Sequence, residues 1–158
     1  MKLNIVAVGR GMPKPVAELV EDYRGRMRRS GGVKLIEIAE ERRRGDGDAN
    51  RRMALQKEAG RIKAKLPGRG LLVPLFSGGK VFTSEAFSGQ LSRWQDAGEP
   101  QATFMIGGPD GLDDSILKMG RITLSFGPMT LPHMLVRVVL LEQLYRAMTI
   151  QKGIPYHR

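Results

Sequence analysis

Cysteine is absent from all 158 residues. That excludes a disulfide framework, a thiolate metal site and a cysteine nucleophile. Histidine is scarce as well, with only His133 and His157 in the chain. They lie about two dozen residues apart with no cysteine nearby, a poor metal-ligand set. No metal is expected. No apolar stretch approaches the roughly 20 residues that a membrane-spanning helix needs. The opening run Met1-Lys2-Leu3-Asn4-Ile5-Val6-Ala7-Val8-Gly9 carries one charge and a short apolar core. It lacks the longer apolar segment and small-residue cleavage site of a signal peptide. These absences lead to the expectation of a soluble, cytoplasmic protein with no membrane partner. An internal repeat is also missing.

What is present in quantity is positive charge. Lysine and arginine number 26 against 16 acidic residues, a formal net charge of +10 and a sequence pI near 10.4. Such an imbalance speaks to partners and not to fold. No basic amphipathic helix with an exposed aromatic face stands out, so nucleic acid leads over an anionic membrane. Hydrophobic residues at 41% and charged residues at 27% are an ordinary globular balance, and the length suits one domain over 1–158.

Hydrophobic periodicity alternates strands with helices. Leu3–Val8 reads as a buried strand ended by Gly9, and Pro13–Arg29 as a helix. Val33–Ile38 is a second strand, and the charged, glycine-interrupted stretch Glu40–Arg52 a loop. A helix is expected from Met53 to about Leu66, stopped by Pro67-Gly68. Leu71–Phe76 is a third strand closed by Ser77-Gly78-Gly79. Thr83 or Ser84 caps a helix whose inward face holds Phe87, Leu91 and Trp94. Ala102–Ile106, a short helix over Asp113–Met119, and a strand over Ile122–Phe126 follow. The long helix Pro132–Ile150 closes the pattern. Regular alternation predicts an α/β fold with a largely parallel sheet flanked by helices.

In such a sheet, ligands bind outside the carboxyl ends of the strands. Three unusual loops fall there: Ser77–Lys80, Gly107–Gly111 and Phe126–Pro132. The glycine loop offers backbone N–H groups near a helix start, which suits polar or anionic ligand groups. Its spacing matches neither the dinucleotide fingerprint nor a phosphate-binding P-loop. Taken singly it reads as a tight strand-to-helix turn; together the three loops point to a small-molecule pocket. His133, at the start of the last helix, reads either as a general base or as a structural histidine kept neutral by the helix dipole. The structural reading is preferred. Val136, Val138, Val139, Leu140, Leu141 and Leu144 make that helix apolar on most sides, as for a helix buried in the domain or at a subunit interface. Arg137 and Glu142, five apart, are not on one helical row and should not pair with each other. The arginine clusters at Arg24–Arg29 and Arg42–Arg44 are solvated surface taken one by one, and collectively a potential phosphate track. At the end of the chain, Tyr156 and His157 suit stacking on an unpaired base and Arg158 a phosphate.

Together these stretches resemble the ribosomal large-subunit pseudouridine N3-methyltransferases, a small SPOUT family that uses S-adenosylmethionine. The resemblance rests on the opening strand through Gly9, Ile106-Gly107-Gly108-Pro109-Asp110-Gly111-Leu112, Leu124-Ser125-Phe126 and Thr130-Leu131-Pro132-His133. Val136-Arg137-Val138-Val139, Glu142-Gln143-Leu144-Tyr145-Arg146-Ala147 and Pro155-Tyr156-His157-Arg158 complete it. Each motif is weak alone, but their ordered combination spans the chain. The resemblance implies a SPOUT-type sheet with a carboxy-terminal trefoil knot, the knot and cofactor site lying in about 70–158. It implies a homodimer whose active site is completed across the interface. Leu75, Gly107, Gly108, Phe126, Gly127, Pro128, Met129, Thr130 and Leu131 would surround the methyl donor. The implied substrate is a pseudouridine in a stem-loop of 23S rRNA in the assembled ribosome.

Tyr156, His157, Arg158 and Arg137 become the candidate catalytic groups. Arg158 or Arg137 would stabilise negative charge developing on the base, with His157 as proton acceptor. Two alternatives stay open. One is another SPOUT RNA methyltransferase acting on a ribose 2′-hydroxyl or a different base. The other is a basic ribosome-binding protein without catalysis. A nicotinamide dehydrogenase ranks behind both, because the fingerprint and its following acidic residue are missing.

Overall fold

The computed structural model describes residues 1–43 and 45–156. Its elements, in order, are β1 (Lys2–Val8), α1 (Lys14–Met27), β2 (Val33–Ile38), α2 (Asp48–Lys63), β3 (Leu71–Val81), α3 (Ser84–Asp96), β4 (Gln101–Ile106), α4 (Asp114–Leu117), β5 (Leu124–Ser125) and α5 (His133–Gln151). The strands form one sheet in the order β2-β1-β4-β3-β5, and every pairing is parallel. The expected α/β class and parallel sheet are therefore found.

Alternation along each strand sorts the core onto two faces. Leu3, Ile5 and Ala7 of β1 face α1, α3 and α5, where they meet Val20, Phe87, Leu91, Trp94, Leu140, Leu141 and Leu144. Val6 and Val8 face the other way, against Ala59 and Ile62 of α2 and Ile116 of α4. Strands buried on both faces read as continuous apolar runs, as β1 and β4 do. Local chemistry sets the helix starts. Thr83 Oγ1 accepts the Ala86 N–H at 3.1 Å to cap α3, and Pro13 precedes α1, with Pro15 in its first turn. At the end of α5, Gly153 adopts φ +64 and the Ile154 N–H donates to the Thr149 carbonyl at 2.9 Å. That turn folds the tail back along the helix.

Three boundaries differ from expectation. β3 does not stop at Phe76 but runs through Ser77-Gly78-Gly79 to Val81. Its second half pairs with β5 after a register shift between Leu75 and Lys80. At Gly79 a Cβ would stand 2.8 Å from the Thr123 carbonyl oxygen, so glycine lets the strands close. α2 starts at Asp48, inside the segment read as loop. β5 has two residues, not five.

Candidate active site

β4 differs from its neighbours in where it sends the chain. After β1 and β3 the chain turns to the α1/α3 face, whereas after β4 it turns to the α2/α4 face. Adjacent strands that diverge in this way open a crevice at their carboxyl ends, the usual ligand position in a parallel sheet. Gly107–Leu112 lies in it, flanked by Gly9 after β1 and by Leu75 of β3. Leu75 is in turn register partner to Leu124 of β5. The topology thus brings Leu75, Gly107, Gly108 and the Phe126–Leu131 segment to one edge of the sheet.

The glycine loop is a folded turn. Gly108 and Gly111 form a bridge, with the Gly111 N–H donating to the Gly108 carbonyl at 3.0 Å. Only Gly111 of the three has a positive φ, +86. Gly107 is required for a different reason: a Cβ there would stand 2.1 Å from the Gly111 carbonyl oxygen. At Gly108 a Cβ would press on Val8 Cγ1 at 3.1 Å. Asp113 ends the loop by accepting the Ser115 N–H at 2.8 Å and capping α4. The Ser115 hydrogen bond holds this carboxyl below its ordinary pKa.

Phe126–Leu131 is open in the way the glycine loop is closed. Ser125 Oγ is its organiser, accepting the Gly127 N–H at 3.0 Å and donating to the Ser77 carbonyl at 2.8 Å. Among the described residues, Ser125 is the only group that bonds the backbone of this segment. Gly127 sits at φ +112 with nothing near its missing side chain. Pro128, Met129, Thr130 and Leu131 are exposed, Met129 at 81%. A cleft of about 300 Å³ opens beside the segment, lined by Phe82, Ser84, Phe126, Leu131, Val139 and Gln143. Leu75, Gly107 and Gly108 do not line it.

Arg137 is not where a substrate-contacting group would be. It is fully buried, donating to the Val8 and Gly9 carbonyls at 2.7 and 2.8 Å and to Glu37 Oε1 at 2.7 Å. Its guanidinium ties α5 to the ends of β1 and β2. Gly9, at φ +100, makes room: a Cβ there would lie 2.9 to 3.2 Å from Met134, His133 and Arg137. His133 opens α5 half-buried, its Nε2 without a partner among the described residues. Burial, and then the Arg137 charge, push its pKa down. Both influences favour the neutral imidazole.

As expected, Arg137 and Glu142 do not pair with each other. Glu142 accepts from Arg146 Nε at 2.9 Å, one turn along α5. Tyr156 joins this pair: its hydroxyl donates to Glu142 Oε1 at 3.2 Å and lies 3.5 Å from the Tyr23 hydroxyl. Its ring stands edge-on to Tyr145 at 4.8 Å and under the Arg146 guanidinium at 4.9 Å. Burial first, then the Tyr23 and Glu142 contacts, raise its pKa further above neutrality. Tyr156 is thus an anchored phenol, held by Glu142, Tyr145 and Arg146. His157 and Arg158, like Arg44 of the second arginine cluster, lie outside the described residues. Glu37 carries the geometry yet has no sequence signal of its own, and the motifs that contain Gly9 and Ser125 do not show what those residues hold. Their roles arise from pairings across the fold, 100 positions in the case of Glu37 and Arg137.

No helix among the described residues is long and apolar enough to cross a membrane, and none of their side chains gather into a metal-ligand cluster. A family model described as predicted SPOUT methyltransferase matches residues 1–157. The chain is 52% identical over 158 residues to a ribosomal RNA large subunit methyltransferase H from Magnetococcus marinus, with 99% of each covered. It is 46% identical to a protein of the same name from Rhodopseudomonas palustris, covering 100% of this chain and 99% of that one. In structure it is similar to a putative methyltransferase from Legionella pneumophila solved with its cofactor SAM. That match has a TM-score of 0.50 at 14% identity, covers 94% of this chain and 66% of the other, and speaks to the fold alone.

Proposed function

The chain belongs to the SPOUT methyltransferase family, and from that premise we infer that it is an rRNA methyltransferase using S-adenosylmethionine. Its acceptor in this reading is N3 of a pseudouridine in a stem-loop of 23S rRNA, presented by the assembled ribosome in the cytoplasm. The names of its full-length relatives support large-subunit rRNA as the substrate class. Pseudouridine, the N3 position and the assembled ribosome rest on the motif resemblance.

The observation that carries the reading is the Phe126–Leu131 segment. Its backbone donors and acceptors are left open beside an apolar-walled cleft, at the same carboxyl edge of the sheet as the glycine turn. That donor set fits a ligand with an adenine edge, a ribose and an amino-acid end, which backbone groups and apolar walls bind without a dedicated charged residue. Leu75, Gly107, Gly108 and Phe126, Gly127, Pro128, Met129, Thr130 and Leu131 would hold it.

When bound, the sulfonium supplies an already activated methyl group. The chain's own task is position and electrostatics. Arg137 fixes the start of α5, and with it the end of the donor-binding segment, against β1. Arg158 is assigned to stabilise charge on the base as the N3 proton leaves, and His157 to accept that proton. Tyr156 anchors the tail that carries both.

A homodimer belongs to the same reading. The nine positions from His133 to Glu142 span about 14 Å of helix. Tyr156 is therefore held well below the donor segment of its own chain. The outward side of α5 and of the segment before it supports a second copy: Leu131 before the helix and Leu135 on it are 37% and 42% exposed, and Val138 and Val139 of the helix are half-buried. A tail from that copy would complete the site. The knot fits as well, since the chain leaves β5 at one sheet edge and returns across to the end of β1 to begin α5. Calorimetric titration with S-adenosylmethionine tests the donor site. Wild type should bind and Gly107→Arg should not; no binding by a folded wild type would overturn the reading.

A further inference from the structure

Exposed cations without a carboxylate partner among the described residues stand at both ends of the strands, with Arg10, Arg42 and Arg52 at the carboxyl end and a second set at the amino end. Exposed Lys2, Arg28, Arg29, Lys65, Arg69 and Lys152 have no carboxylate partner among the described residues. Topology puts all of them at the amino edge of the sheet. Lys2 opens β1 opposite Gln101, which opens β4, and Gln101 Nε2 donates to the Arg69 carbonyl just before β3. Arg28 and Arg29 form the turn between α1 and β2. Lys152, at the end of α5, reaches Ser30 Oγ in that same turn. Lys65 follows the end of α2. Two carboxylates sit at this edge, Asp96 and Glu99, and Glu99 is taken by Arg121 at 3.1 Å.

The bland account is that cations gather where helices end, because the carbonyl end of a helix favours them. It covers one cation each for α1, α2 and α5. It leaves Lys2 and Arg69, which precede strands, and the second arginine of the Arg28–Arg29 pair. An unpaired array across β2, β1, β4 and β3 spans about 14 Å at the usual strand spacing. A nucleic-acid backbone neutralises such a track by exchanging bound counterions for fixed cations.

We propose that the amino edge of the sheet is a second rRNA-binding surface, gripping phosphates outside the donor site of its own chain. The inference rests on the rRNA methyltransferase reading. Strands of six or seven residues place this edge roughly 20 Å from the donor loops of the same chain. Its cations therefore lie outside the donor loops of their own chain, and their assigned task is docking. Arg26, whose guanidinium lies over the rings of Tyr23 and Tyr145 at 5.4 and 5.7 Å, joins this edge to the anchored tail. The track runs from the tail anchor toward β3.

The test is the triple variant Arg28→Ala/Arg29→Ala/Lys152→Ala, compared with wild type in three measurements. The affinity for S-adenosylmethionine should be unchanged. With purified ribosomes, KM should rise about tenfold while kcat stays within about twofold, as for lost phosphate contacts. On protein-free 23S rRNA, the slope of log affinity against log salt should flatten by about two to three. Lys65→Ala/Arg69→Ala should give a smaller shift of the same kind. Wild-type KM and slope in the triple variant would overturn the proposal, as would a fall in kcat with KM unmoved. Capture of wild type by phosphatidylserine vesicles, with rRNA binding unaffected by the substitutions, would assign the surface to lipid instead. A wild type inert on ribosomes would instead fail the methyltransferase reading itself.

Discussion

At the carboxyl edge of the sheet, cations meet carboxylates of the same chain: Arg137 meets Glu37, Arg43 and Arg51 meet Asp110, and Lys57 and Arg61 meet Glu41. At the amino edge of the same sheet, Lys2, Arg28, Arg29 and Lys152 meet none. Backbone differs in step with charge. The carboxyl edge is built on glycines at Gly9, Gly107, Gly108 and Gly111, where a side chain would collide or a positive φ is needed. The amino edge has glycines too, Gly70 packed against Gln101 and Gly31, Gly32 and Gly153 at helix ends, but they close turns and do not shape a ligand loop. Ion pairs hold the shape of the carboxyl edge beside the unpartnered Arg10, Arg42 and Arg52, whereas at the amino edge Lys2, Arg28, Arg29 and Lys152 are not tied into such a framework. Geometry for chemistry and charge for a polyanion are thereby separated by the length of a strand.

Substitutions should divide along that line. Gly107→Val puts side-chain atoms into the Gly111 carbonyl and displaces the turn, and misplacing a bound donor by about 1 Å costs on the order of a hundredfold in rate. Methyl transfer should fall by at least that factor, while binding to protein-free rRNA at the amino edge persists. Arg137→Ala removes the partner of Glu37 and of two buried carbonyls. Breaking such a pair costs about 3 kcal/mol, the low end of the usual range because Glu37 is 31% exposed. Urea unfolding should show that loss, and Arg137→Lys should recover only part of it, since an ammonium lacks the fork that reaches three acceptors. Arg28→Ala, in contrast, should stay within about 0.5 kcal/mol of wild type.

Smaller effects refine the comparison. Tyr156→Phe keeps the ring on Tyr145 and Arg146 but loses the Glu142 bond, a cost of about 1 kcal/mol in thermal unfolding. Its activity should remain within severalfold of wild type, because the phenol is an anchor. His133 gives the mildest signature. Its pKa is depressed in the folded chain by burial and by Arg137, so the unfolded chain takes up a proton first as pH falls. Stability should be flat above neutrality and decline below about pH 6.5. His133→Asn should remove that part of the decline in melting temperature.

Much of the fold was legible because alternation and periodicity are local. β1, β2 and β4 fall within a residue of expectation, and Phe87, Leu91 and Trp94 are buried as the helical spacing requires. The misses have particular causes. Ser77-Gly78-Gly79 was read as a stop, but glycine in a strand also marks close approach of another backbone, here Thr123. The start of α2 is hidden because its inward face is Ala54, Glu58 and Ala59, small or charged residues, with Ile62 as the one large apolar group and only near the end. Placing the candidate loops needed only the rule for parallel sheets. Arg137 could not be read as buried from its neighbours in sequence, since its acceptors come from β1, β2 and the turn at Gly9.

The most direct measurement incubates the protein with isotopically labelled S-adenosylmethionine and ribosomes whose 23S rRNA lacks the modification. The rRNA is then digested and the labelled nucleoside identified by mass spectrometry. Label in N3-methylpseudouridine is the result predicted here. Label on a ribose or on another base, or no transfer by a folded protein that binds the donor, would contradict it.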